Sequence, residues 1–154
     1  MGHARPHRGG SNRFVLGNPN RNFTRKINMQ TKRELFRFVI PIKATSWNTL
    51  VGANRWHCSR TRDFWKQATI YAARKLRPKQ PYNIPVRLVF EAHWRTKRAH
   101  DCDNLFVKPI IDQLKMDRFF HDDSTRFVSE VVLRGLTDQA EDSLTVIAYE
   151  YIPE

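Results

Sequence analysis

Residues 101–123, DCDNLFVKPIIDQLKMDRFFHDD, decide how this chain is read. Leu105, Phe106, Ile110, Ile111 and Leu114 recur at helical spacing, which predicts a buried helix from Asp103 or Asn104 to Met116 or Asp117. Carboxylates bracket it, with Asp101 and Asp103 before and Asp122 and Asp123 after. Asp101 and Asp103 are two residues apart, so in an extended segment both side chains project to one side. Two carboxylates held together repel unless a cation joins them. A hard ion such as Mg²⁺ takes oxygen ligands and keeps positions for water and phosphate oxygens. The simpler account of a lone Asp here is an N-cap that accepts backbone N–H bonds. A cap needs one carboxylate, and four bracket this helix.

Outward from that helix the chain alternates as strands do. Upstream, Val86, Leu88, Phe90, Ala92 and Trp94 alternate with Arg87, Glu91, His93 and Arg95, which predicts a strand over about 85–95 leading into the basic loop RTKRAH. Farther upstream, Phe36, Phe38, Ile40 and Ile42 alternate with Arg37, Val39 and Lys43, and Pro41 marks an edge or the end of that strand. Between these strands the spacing predicts a helix from about Thr61 to Arg77. Its cap would be Thr61, its stripes Phe64, Ala68, Tyr71 and Trp65, Ala72, Leu76, and its stop Pro78 and Pro81. Downstream, 127–134 and 143–151 flank the turn-rich GLTDQAED and read as a hairpin. The order β-α-β-α-β-β predicts an α+β fold, with helices packed on one mixed sheet.

At 154 residues and 40% hydrophobic, the chain has room for one core. Residues 35–154 are expected to form one domain and residues 1–34 a basic, disordered arm. Residues 1–28 hold six basic side chains and no acid, and Met29 offers an alternative start. No apolar run reaches the roughly 18 residues of a membrane span, and MGHARPHRGG has no signal-peptide core, so a soluble, cytoplasmic protein is expected. The net charge of +12 and pI near 10.3 favour a polyanionic partner, nucleic acid above others; a solvated basic surface is the blander account. Outside residues 1–28 the chain still carries +6. The two cysteines form no CxxC pair and are expected to be reduced. Zinc on His57, Cys58, His100 and Cys102 is an alternative without recognised ligand spacing.

The segment RTKRAHDCDNLFVKPIIDQLKMDRFFHDDSTRFVSEVVL resembles the RusA family of Holliday-junction endonucleases. The likeness lies in a basic run, then DxDNL, a lysine, a further Asp within the helix, an aromatic turn, and DD before the next strand. TSWN, with Ser46 and Asn48, is similar to the family's turn after its first strand, so the resemblance spans about 36–151. It implies that Asp101, Asp103 and Asp123 are metal-binding catalytic carboxylates, with Asp122 as their neighbour, and that Lys108 is the catalytic lysine. The residue-level alternative for Lys108 is an ion pair with Asp112 at i, i+4. The family usually places one residue fewer between DxDNL and this lysine. The extra residue is expected to be absorbed by a wide turn or π-bulge near Phe106, helped by Pro109.

The resemblance further implies a homodimeric, Mg²⁺-dependent enzyme, with Mn²⁺ able to substitute and no small-molecule cofactor, that nicks four-way junctions. Arg95, Lys97 and Arg98 are the expected phosphate contacts, with Asn48, Arg55 and Arg60 as further DNA-binding candidates. Trp47 and Trp56 would either stack on an unpaired base or pack in the core. Two rivals stand beside this reading: a nucleic-acid-binding module without catalysis, and a metal nuclease acting on other branched DNA.

Overall fold

Pro41 ends the first strand where the alternation breaks. β1 (Glu34–Ile40) turns Phe36, Phe38 and Ile40 into the core and leaves Arg37 and Val39 outside. The computed structural model describes residues 33–153, so the predicted arm and the alternative start at Met29 lie outside the described residues. After β1 come α1 (Arg55–Ala73), β2 (Val86–His93), α2 (Lys108–Met116), β3 (Val128–Leu136) and β4 (Ser143–Glu150). The architecture is α+β: a mixed four-stranded sheet in the order β1-β4-β2-β3, with both helices on one face. β2 and β3 run parallel and the other neighbours antiparallel. The parallel pair requires a crossover, which α2 supplies.

Between sheet and helices, Val86, Leu88, Phe90 and Ala92 of β2 and Leu144, Val146 and Ala148 of β4 meet Trp65 of α1 and Ile110 and Leu114 of α2. On the opposite face Val89 and Ile147 are also buried, opposite each other in register. Arg87 bonded to Glu130, and Arg134 paired with Glu91, lie on the same face in the β2–β3 register.

Three expectations change. The two closing strands form no hairpin: β4 inserts between β1 and β2, and β3 pairs with the far side of β2. The turn-rich connection steps across the exit of β2, where Thr96 and Trp94 carbonyls accept from the amides of Asp138 and Gln139, and Asp142 accepts from the Arg95 N–H at 2.9 Å. Because β2 lies between β3 and β4, this loop spans two strand spacings, about 9.6 Å.

α1 starts six residues before Thr61, because Asn54 is the cap and its side chain accepts from the His57 N–H at 2.8 Å. Its buried face is Trp65, Thr69 and Ala73, with Ala68 and Ala72 beside them, whereas Phe64 and Tyr71 are 49% and 71% exposed. Thr69 can face inward because its hydroxyl donates to the Trp65 carbonyl, so apolarity alone misplaced the stripe.

α2 begins at Lys108, several residues later than expected. Cys102–Asn104 is a single 3-10 turn, after which Leu105 is extended and pairs with Ser46, while the Phe106 N–H donates to the Thr45 carbonyl at 2.9 Å. This pairing holds Leu105 and Phe106 in the core without a helix. Pro109, which lacks an amide hydrogen, fits the first turn of α2. No π-bulge lies within α2: Leu105 is extended and the Val107 N–H closes back on the Leu105 carbonyl at 3.1 Å, so the chain turns at Phe106 ahead of the helix.

Candidate active site

The strand pairing just described sets the place of the two acids nearest the basic loop. Asp101 precedes the 3-10 turn and makes no capping bond, and Asp103 lies inside the turn. The cap residue of α2 is Val107, so Asp103 is not a helix cap. Both carboxylates are exposed, and among the described residues neither has a hydrogen-bond or ionic partner. The capping account thus fails for both.

Asp123 is held in the opposite way. α2 ends in a Schellman turn: the Arg118 N–H donates to the Lys115 carbonyl, and the Phe119 N–H to the Leu114 carbonyl. Leu114 and Phe119, both buried, supply the apolar contact that accompanies this motif. Arg118 takes the left-handed conformation, with φ of 60°, where glycine is the usual residue. The chain then folds back along α2 and delivers Asp123 to two lysines. Lys108 donates to Oδ2 at 2.7 Å and Lys115 to Oδ1 at 3.0 Å. Seven residues apart, the lysines lie two turns along one helix face. Lys108 also pairs with Asp112 at 2.7 Å, so the helical ion pair and the contact with Asp123 coexist. The lysines, Lys108 first and then Lys115, hold the Asp123 carboxyl far below the usual carboxylate range. Asp112 and then Asp123 raise the Lys108 ammonium above its ordinary value. Asp122 accepts from the Asp123 N–H at 2.9 Å and so shapes the turn.

Beside Asp101 a cleft of about 410 Å³ gathers Ser46, Asn48, Arg98 and His100. Residues about fifty positions apart meet there because Ser46 pairs with Leu105. The basic loop is anchored at its root: the buried Trp94 stacks on His100 at 4.4 Å, and His100 also shares a hydrogen bond with Thr96 at 2.9 Å. Arg95, Lys97 and Arg98 stand exposed between these anchors. Arg55 and Arg60 are exposed on α1 and do not line this cleft. Trp47 and Trp56, 46% and 81% exposed, are not core residues.

The carboxylate oxygens of Asp101 and Asp103 are the hard donors that Mg²⁺ takes, and exposure leaves room for the waters it keeps. Among the described residues, however, no three His, Cys, Asp or Glu side chains converge closely enough to share a metal ion. His57, Cys58, His100 and Cys102 form no such group. Asp123 likewise sits with its lysines and not in a preformed trio. Asp101 is extended but Asp103 lies in the 3-10 turn, so the extended spacing that would put both side chains on one side does not hold; the oxygen donors of each still suit a divalent cation.

No protein-family model matches the chain, and no curated protein matches it in sequence. Lys115 is a site residue that the sequence reading passed over, although its i+7 spacing from Lys108 placed it on the same face. Among the described residues, no helix is long and apolar enough to cross a membrane.

Proposed function

We propose that this chain is a structure-selective, metal-dependent endodeoxyribonuclease similar to the RusA family, which resolves four-way DNA junctions by hydrolysing phosphodiester bonds. The observation that carries this reading is that Asp101 and Asp103 are exposed beside a basic loop and, among the described residues, have no partners. In a chain of charge +12, such carboxylates weaken attraction to phosphate unless they take part in chemistry. A pure binding module has no use for them there.

In this reading Arg95, Lys97 and Arg98 hold the phosphates that flank the cut, fixing position without reading sequence. Asn48 borders the same cleft and orients the strand entering it. Asp101 and Asp103 are the residues that would hold Mg²⁺ or Mn²⁺, with Asp123 joining when it leaves one of its lysines. Such an ion would neutralise charge on the phosphate and supply an activated water. Lys108 adds a fixed positive charge where negative charge gathers on the leaving oxygen. Resolution of a two-fold symmetric junction needs two such sites facing opposite strands, so the working form is a C2 homodimer. The setting is cytoplasmic DNA recombination and repair, and no small-molecule cofactor is required.

The test is cleavage of a labelled mobile four-way junction with Mg²⁺, Mn²⁺ or EDTA, using wild type and Asp103→Asn, with linear duplex as control. Paired symmetric nicks that need metal and vanish in the variant, with binding retained, are the expected result. Tight binding without cutting under any metal would replace the reading with a binding module. Faster cutting of flaps or forks would reassign the substrate.

A further inference from the structure

A second cleft, of about 390 Å³, opens between α1 and the start of α2, with Lys108 on its wall. Its apolar part is formed by Leu50, Phe106 and Pro109, and Trp47 stands over Phe106 with ring centroids 4.6 Å apart and planes at 78°. That edge contact fixes the indole while leaving Trp47 46% exposed. An aromatic held open at a cleft mouth is a stacking surface that loses little further freedom on binding. Arg62 and Lys66 line the opposite side, one turn apart on the same ridge of α1. Among the described residues neither is ion-paired, whereas Asp112, the acid in the lining, is answered by Lys108 at 2.7 Å. The cleft therefore offers an aromatic face, an apolar floor and two unanswered cations.

We propose that this cleft takes an unpaired nucleotide of the substrate DNA, its base against Trp47 and its phosphate between Arg62 and Lys66. The inference rests on the DNA reading above and extends it to α1. A free phosphate would leave the aromatic face unused, and an apolar ligand would leave both cations unpaired. A nucleotide answers both. Because Lys108 belongs to this cleft as well as to the carboxylate site, a nucleotide held here lies next to the bond to be cut.

The test is binding of the full chain in EDTA, which keeps cutting out of the readout. The ligands are a short oligothymidylate and a strand of equal length made of abasic sugar-phosphates. Trp47→Leu is expected to weaken oligothymidylate binding about 10-fold or more while sparing the abasic strand, since stacking requires a base. Arg62→Gln with Lys66→Gln is expected to weaken both strands and reduce the salt slope by about 0.7, the share of the one phosphate that the two cations hold. The double variant alters a helix surface, so it reports even if Trp47→Leu fails to fold. Unchanged binding and slope in the double variant would overturn the proposal, as would better competition by polyglutamate than by oligothymidylate. Junction cutting that survives with normal binding in these variants would sink the subsite and leave the nuclease standing. Loss of binding in the variants, in a protein that cuts under no metal, would do the reverse.

Discussion

Lys108, the first residue of α2, reaches Asp123 at 2.7 Å, although α2 and a reversing turn separate them along the chain. The contact ties the lysine after DxDNL to the acid after the helix, the two residues that the proposed chemistry needs side by side. Exchanging one lysine contact for another partner leaves Asp123 held by the other, so the acid can move without losing all compensation of its charge.

Lys108→Met is expected to reduce junction cleavage about 10²- to 10³-fold, the usual effect of removing a charge that stabilises a transition state. Lys115→Met should reduce it about 10-fold or less, because Lys108 still holds Asp123. Neither substitution should change stability by more than about 1 kcal/mol, since solvent reaches both lysines and Asp123 keeps a lysine partner in each variant. Single-turnover cleavage and urea melts on the same preparations check both statements; equal rate losses would show that the lysines act only as a pair of anchors.

The lysine contacts also set a pH dependence of stability. The Asp123 carboxyl is depressed in the folded chain, with Lys108 the larger cause. Its stabilising contribution is therefore fully present above the unfolded aspartate value of about 3.9 and is lost as pH falls below it. In EDTA, the stability difference between wild type and Asp123→Asn should be constant from about pH 5 to 8 and shrink below about pH 4. A difference that grows in acid would contradict the lysine-held carboxylate.

Gly135→Ala tests the root of the basic loop. A Cβ at Gly135 would stand 2.6 Å from Cζ3 of Trp94, a rigid buried ring. The indole must shift, and His100, stacked on it, shifts too. A loss of about 1–3 kcal/mol is expected from such overpacking. Weaker DNA binding should accompany it, measured by titration at fixed salt; unaltered binding would separate the loop from the Trp94–His100 stack.

Arg118→Gly probes the turn that returns the chain to α2. A non-glycine residue in the left-handed region costs roughly 1–2 kcal/mol, partly offset by the extra freedom glycine gains when unfolded. A gain of up to about 1 kcal/mol in a urea melt is expected. A loss would give the Arg118 side chain a role beyond its backbone geometry.

Of the proposed site, Asp101 and Asp103 stand out by spacing, while Asp123 and Lys108 come from the resemblance to the RusA family; the inward faces of β1, β2 and α2 follow from alternation and helical period. The missed hairpin has a plain cause: residues 137–142 contain turn formers, but turn chemistry does not say whether the next strand pairs with the previous one or steps across its neighbour. The misplaced helix starts share another cause. Asn54 caps α1 ahead of a polar first turn that carries no apolar period, and the 105–106 backbone finds partners at 45–46 that no local pattern announces.

By itself the sequence determined what depends on near neighbours: strand and helix faces, the stop at Pro41, the basic surface, and carboxylates paired two residues apart. These follow from backbone periodicity and charge, which act within a turn or two. Only the tertiary structure decided which carboxylates are free and which is held. Whether Asp101 and Asp103 stay unpartnered while Asp123 meets two lysines depends on where the chain returns after α2. Contacts of a few ångströms between distant residues are set by burial and hydrogen bonding across the whole core.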